Sequence, residues 1–162
     1  MITIRPATAA DAEVLLSLID ALADYEKLPR PDRHARDRLR RDGFGPAPLF
    51  RAYLGEIDGE PVAYAITFRT YSSFLALPTL YLEDLFVLPD ARGQGVGGTL
   101  FRHLVSEALN ENCGRMEWVV LDWNRAAIDF YERMGARRLT EWYTYRLTHE
   151  AMVALEGGEE AG

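Results

Sequence analysis

Residues 93–98 read GQGVGG, four glycines in six positions, directly behind the apolar run TLYLEDLFVLP and at the start of the helical pattern VGGTLFRHLVSEALNENCG. Glycine is unfavourable inside strands and helices, so a cluster of this kind marks a turn, a linker or a backbone brought against a ligand. Its place between a strand and a helix restricts the fold to one whose βα junction carries bare main-chain N–H groups. Together with a helix N-terminus, such groups suit an anion such as a pyrophosphate.

The chain ahead of the loop fixes the kind of sheet. LFRAYLGEI and PVAYAITFRTY read as strands around Asp58-Gly59, a strong hairpin signal, so this part of the sheet is antiparallel. ITIRPA is a short first strand, and Thr8 with Asp11 caps the helix EVLLSLIDALADY, whose Val14, Leu15, Leu18, Ile19 and Leu22 recur at helical spacing. Residues 32–41 form a basic helix that reads as a solvated face, and SSFLALPT is a loop. TLYLEDLFVLP is a further strand, interrupted by Glu83 and Asp84. RMEWVVLDW reads as a buried strand, NRAAIDFYERMG as a helix from an Asn124 cap to a Gly135 stop, ARRLTEWYTYRL as a last strand, and THEAMVALEGG as a short helical turn. The expected order is β, α, α, three strands, helix, strand, helix, strand: an α/β domain on a mixed sheet.

This order separates two readings of the glycines. Gly93, Gly95 and Gly98 satisfy G-x-G-x-x-G, and Asp122 follows at the end of the next strand, as in a dinucleotide-binding unit. That fold needs further parallel strands, whereas a hairpin precedes the loop and about 64 residues follow it. A Walker loop is excluded, because no Gly-Lys-Ser/Thr is present.

At 162 residues the chain suits one domain, with an acidic tail from about residue 156 read as flexible. Its net charge of −7 disfavours a phosphate-backbone partner, so no nucleic acid is expected. No stretch approaches the ~20 apolar residues of a membrane span, and no membrane partner is expected. MITIRPATAADAE has no basic-then-apolar export pattern, and Cys113 is the one cysteine, so a cytoplasmic location is expected. Three scattered histidines give no metal-ligand spacing, and no metal is expected.

Residues 92–97, RGQGVG, fit the R/Q-x-x-G-x-G/A pyrophosphate loop of the GNAT superfamily of N-acetyltransferases, which bind acetyl-CoA. The chain resembles most the branch that acetylates spermidine/spermine and thialysine. The similarity runs through IRPATAADA, LADYE, DGFG, YLEDLFV, VLDWN, AIDFYERMGA and the final W-x-x-x-R at Trp142 and Arg146, in order over nearly the whole chain. The resemblance implies a mixed, mostly antiparallel central sheet flanked by helices, with the acetyl-CoA loop between the fourth strand and the third helix. It also implies a homodimer paired through the sheet and the C-terminal strand.

Acetyl transfer to an amine requires a neutral nitrogen and a proton for the departing thiolate. An alkyl amine with a pKa near ~10.4 is protonated at neutral pH, so a base must act. Glu83 is a candidate, since partial burial in YLEDLFV would raise its pKa; it also reads as a solvent-facing or arginine-paired carboxylate. The resemblance favours the base, acting directly or through water. Tyr131 reads as core beside Ile128 and Phe130, and the resemblance makes it the acid that protonates the thiolate.

The resemblance further implies that Leu85, Phe86 and Val87 pair by main chain with the pantetheine arm. Arg92, Gly93, Gln94, Gly95, Val96, Gly97 and Gly98 would take the pyrophosphate, and Asn124, Arg125, Ala126 and Ala127 would border acetyl-CoA along with Tyr131. Tyr25 and Glu26 match positions that touch the amine, and Glu117, Trp118, Val119 and Glu141 would line its pocket with Glu83. Where the polyamine enzymes carry an acid and a tryptophan, this chain has Ser72-Ser73-Phe74-Leu75, and its DWN at 122–124 looks more like thialysine-type members. A lysine analogue or short diamine therefore stands beside polyamines as the implied substrate. A non-catalytic acyl-CoA-binding domain is the alternative of another class.

Overall fold

Asp58 and Gly59 take φ values of 52° and 86°, the left-handed pair that a two-residue hairpin turn demands, and so set two strands antiparallel as expected. The structure is a computed structural model that describes residues 1–158. The first strand, β1 (Ile2–Pro6), is followed by a short 3-10 turn and two helices, α1 (Ala12–Glu26) and α2 (Arg33–Phe44). The hairpin strands are β2 (Arg51–Ile57) and β3 (Glu60–Ser72), and β4 (Leu77–Val87) leads through the glycine loop into α3 (Val96–Asn110). Then come β5 (Arg115–Glu117), α4 (Arg125–Arg133) and α5 (His149–Glu156). The sheet order is β1-β2-β3-β4-β5, antiparallel except for the parallel β4–β5 pair, which is the mixed sheet the sequence predicts.

Side-chain alternation sends each face of the sheet to a different helix. Ala52, Leu54, Tyr64, Ile66 and Phe86 form one core cluster with Leu15 and Leu18 of α1. The intervening β2 residues meet α3: Tyr53 lies edge-on to His103 at 5.3 Å, and a Cβ on Gly55 would come within 2.9 Å of Val96. Leu54, Leu100 and Leu104 are fully buried, and burial of such a side chain stabilises by about 1.5–3 kcal/mol.

The predicted cap of α1 is present, one turn earlier than a simple N-cap. The Asp11 carboxylate accepts from the Thr8 N–H at 2.7 Å and the Thr8 hydroxyl at 2.8 Å. Arg5 donates to the same carboxylate at 2.8 and 2.9 Å, and to Glu56 at 2.7 Å. The Arg5 bonds, followed by the Thr8 N–H, hold Asp11 well below the usual carboxylate range. A depressed carboxyl adds stability above its unfolded pKa, near ~3.9, and that stability is lost as pH falls. Asp11→Asn should therefore lower the urea midpoint at pH 7 and flatten its decline between about pH 5 and 2. An unchanged decline would remove Asp11 from the acid limb.

The basic helix of 32–41 appears as α2, and two of its arginines, Arg36 and Arg40, are engaged with α1. Arg36 pairs with Asp20 at 2.9 Å and Arg40 with Glu13 at 2.7 Å, while Arg30 ahead of the helix pairs with Asp24 at 2.5 Å.

The chain divides into two compact units after Val119. In the second, α4 starts at Asn124, whose side chain accepts from the Ala127 N–H at 3.2 Å, and Gly135 takes φ 91° behind the helix. Two predicted strands need correction. Of RMEWVVLDW only Arg115–Glu117 joins the sheet, and Val119, Val120 and Leu121 are exposed. The physical reason lies in β4, which bulges just past the last β5 partner and bends away from a straight ladder. ARRLTEWYTYRL forms no strand: Trp142, Tyr143, Tyr145 and Leu147 are exposed, and among the described residues no ladder pairs with them. Alternation signals a capacity to pair, and a strand also needs a partner for its N–H and C=O groups. Of the expected acidic tail, Glu156 closes α5, Gly157 and Gly158 form a turn, and 159–162 lie outside the described residues.

Candidate functional site

The parallel pairing of β4 with β5 ends at Tyr81 and Glu117. Among the described residues this leaves the outer edge of 82–87 without a partner strand. Strand edges of this kind are templates for another extended chain, supplying N–H and C=O groups at regular spacing. Leu85, Phe86 and Val87, the three residues expected to pair with pantetheine, lie on this edge.

The edge runs directly into the glycine loop. Gly93 and Gly95 take φ values of 78° and 92°, the left-handed region that glycine adopts without strain. Gly95 is the N-cap of α3 and supplies no side chain to satisfy the first N–H groups of the helix. Above Gly93 there is open space where a Cβ would stand, and beside Gly95 the nearest atom is Ile2 Cδ1 at 3.7 Å. An uncapped helix start behind two left-handed glycines suits a pyrophosphate, so these residues fit the donor that the sequence implies. The loop is held from within: Arg92 Nε donates to the Val87 carbonyl at 3.0 Å, and Gln94 Nε2 donates to the Asp90 carbonyl at 3.2 Å.

A second group of residues gathers where the end of α1 meets β3 and β4. Tyr25 packs on Phe86 with ring centroids 6.1 Å apart, and Tyr64 packs on the same ring at 6.4 Å. The Arg92 guanidinium covers this group, 4.5 Å from the Tyr25 ring centre and 5.6 Å from that of Phe86. Cation–π placement of this kind ties the glycine loop to α1.

At this point the structure revises the reading of YLEDLFV. Ile66 pairs with Asp84 and Thr67 with Leu82, so Glu83 is the extra residue of a β-bulge. Glu83 is exposed, and the partial burial expected of it falls on Asp84. Asp84 accepts from the Tyr64 hydroxyl at 3.2 Å. Burial, then the neighbouring charge of Glu83, pushes its carboxyl up to about 6. Glu26, at the end of α1, is also raised by burial. Burial followed by the charges of Glu83 and Glu117 raises Tyr81, which places those two carboxylates within electrostatic reach of one phenol. Four acidic groups, Glu26, Glu83, Asp84 and Glu117, thus border this face, and Glu117 is paired with Arg115 at 2.9 Å. Sequence reasoning assigned roles to three of them and missed Asp84; its place beside Glu83 in an apolar run was the available signal, and only the bulge decides which of the two turns inward.

The other predicted residues are distributed as follows. Trp118 lies edge-on to Phe101 of α3 at 5.5 Å, and Val119 is exposed. In the second unit, Arg125, Ala126 and Ala127 form the first turn of α4 behind Asn124. Tyr131 stands on the same helix, half-buried, with its ring 5.2 Å from that of Phe130. Glu141 is exposed and accepts from the Thr140 hydroxyl at 3.3 Å.

The Acetyltransferase (GNAT) family matches residues 15–136. The chain belongs to the GNAT acetyltransferase family. The matched stretch contains the β4 edge, the glycine loop and the Tyr131 helix. Thialysine N-epsilon-acetyltransferase of Sus scrofa is 38% identical over 167 residues, covering 96% of this chain and 98% of that protein. The human spermidine/spermine N(1)-acetyltransferase-like protein 1 is 32% identical over 162 residues, 94% of this chain and 23% of that longer protein. Among solved structures, an integron cassette protein from the mobile metagenome of V. cholerae has the same fold, with a TM-score of 0.80 at 22% identity over 96% of this chain and 97% of its own. The protein is an N-acetyltransferase with a five-stranded, mostly antiparallel GNAT sheet. GNAT acetyltransferases use acetyl-CoA as the acetyl donor.

Proposed function

We propose that this protein transfers the acetyl group of acetyl-CoA to the primary amine of a small cationic substrate, a thialysine-like lysine analogue or a short diamine or polyamine. The observation that carries this reading is the juxtaposition of an open β4 edge, ending in an uncapped glycine loop, with an acid-bordered face at Glu26, Glu83 and Asp84. A cationic amine is drawn to that face, and the full-length likeness to a thialysine acetyltransferase points the same way.

The donor supplies an activated thioester. In this reading Leu85, Phe86 and Val87 pair with its pantetheine arm, the backbone of 92–98 takes its pyrophosphate, and Asn124 with the first turn of α4 borders it. Exposed Glu83 accepts the ammonium proton directly or through one water and releases it to solvent. Tyr131 protonates the departing thiolate. Tyr25, Glu26, Glu117, Trp118, Val119 and Glu141 shape the amine pocket, and the chain acts as a single N-acetyltransferase domain, a reading supported by the family match over residues 15–136. We further place the enzyme in the cytoplasm, as a homodimer. No helix among the described residues is long and apolar enough to cross a membrane.

Incubation with acetyl-CoA and a series of thialysine, lysine, diamines and polyamines, followed by free-thiol release, tests the reading. Release is expected with thialysine or a short diamine and to be slower with long polyamines. Tight acetyl-CoA binding without release from any amine would replace the enzyme reading by a non-catalytic acyl-CoA-binding domain.

A further inference from the structure

We propose that Asp84 and Tyr64 form a proton-holding pair beneath the amine face, so that Asp84 sets the pH at which that face carries its full negative charge. The inference rests on the reading above that the amine is taken up against Glu26 and Glu83, and it adds a residue to which no role has been assigned.

The geometry begins with the bulge. Because Glu83 is extruded from the β3–β4 ladder, its neighbour Asp84 falls on the same face as Tyr64, Ile66 and Phe86, the face that packs against α1. Tyr64 is fully buried there and directs its hydroxyl at Asp84 Oδ2 from 3.2 Å. Burial, then the charge of Asp84 itself, drives the phenol well above its usual range, so Tyr64 remains a donor throughout the working pH range.

The surroundings of Asp84 oppose its ionisation from several elements. Glu83 on β4 and Glu26 on α1 both add negative charge, and the Tyr25 ring of α1 packs on Phe86 beside them. Arg92 is a cation on this side of the sheet; its guanidinium stacks on Tyr25 and Phe86 and its Nε donates to the Val87 carbonyl. Among the described residues Asp84 forms no ion pair; the Tyr64 hydrogen bond alone opposes burial and the two like charges. A carboxyl held at this balance exchanges its proton near neutrality, where the neighbouring amine site must attract a cation.

The consequence has a definite sign. Below a pH of about 6, Asp84 takes up one proton from solvent, the face loses one charge, and capture of a cationic amine weakens. Removing the Tyr64 hydroxyl takes away the group that favours the ionised form, so the change should move to higher pH.

Two measurements test this. Carbon-detected NMR of the Asp84 carboxyl, in wild type and in Tyr64→Phe, should give a midpoint near 6 that rises by roughly half a pH unit or more in the variant. With thialysine as the amine and saturating acetyl-CoA, the acid limb of kcat/KM should move upward in parallel in Tyr64→Phe. In Asp84→Asn the limb should flatten and the amine KM should rise about tenfold, with acetyl-CoA affinity unchanged. A carboxyl midpoint in the ordinary range near ~4 would overturn the proposal, as would an acid limb unmoved by either substitution in a folded variant. Absence of thialysine turnover in the wild type would count instead against the substrate reading, and the NMR midpoint would still decide on the pair.

Discussion

Replacing Tyr131 with phenylalanine is expected to lower kcat by about 10²- to 10⁴-fold, the usual contribution of a positioned proton donor, while acetyl-CoA affinity changes by no more than about twofold. The expectation follows from the reaction's proton account. A protonated amine and a thioester become an amide and a thiol, so one proton must reach the sulfur while another leaves for solvent. A thiolate whose acid has a pKa near ~8.5 is a weaker base than a phenolate near ~10, so transfer from a phenol costs about 2 kcal/mol in water. A donor fixed at the sulfur bears that cost only as negative charge develops there. Tyr131 stands seven residues beyond the Asn124 cap, on a helix whose start is fixed by the bond from Ala127 N–H to Asn124. Phenylalanine keeps the ring beside Phe130 and removes only the hydroxyl. Turnover should be measured by thiol release, acetyl-CoA affinity by titration, and folding by thermal melting. Equal turnover in the two proteins would defeat the assignment of Tyr131, and a parallel loss of affinity would show a packing role instead.

Local rules made most of the first unit legible, because its elements are set by residues close in sequence. Asp58-Gly59 dictated the hairpin, Thr8 and Asp11 the start of α1, and the glycine run the junction of β4 with α3. The failures arose where an element depends on a distant partner. The alternation of Trp142, Tyr143 and Tyr145 marks a segment able to pair, yet no ladder among the described residues includes it. RMEWVVLDW failed for a related reason: its apolar run continues, but the ladder ends after Glu117 where β4 bulges. The same bulge misled the reading of the site. In a regular strand either carboxylate of Glu83-Asp84 could have turned inward, and the pairing of Ile66 with Asp84 decided between them. The sequence marked the segment in which a carboxylate is partly buried, while the ladder determined that it is Asp84 and not Glu83.

The second large effect is expected at Gly95. Replacing it with valine should weaken acetyl-CoA binding by about tenfold or more, with the amine KM at saturating acetyl-CoA nearly unchanged. A Cβ is itself accommodated, since it would meet only Ile2 Cδ1 at an ordinary 3.7 Å. The obstacle is backbone conformation. Gly95 has φ 92° and ψ −7°, a region that costs an L-residue on the order of 1–2 kcal/mol and a β-branched one more. The variant is therefore expected to relax toward negative φ. Relaxation there rotates the peptide that opens α3 and turns its uncapped N–H groups away from the position proposed for the pyrophosphate. Since 1.4 kcal/mol corresponds to tenfold in affinity, misdirecting even one or two such donors accounts for the loss. The cost to folding is smaller: a strain of this size lowers Tm by about 2–8 °C in a chain of this length. Isothermal titration with acetyl-CoA beside a thermal melt separates the two effects. A folded Gly95→Val protein that binds acetyl-CoA as tightly as the wild type would show that the glycine loop does not form the anion cradle.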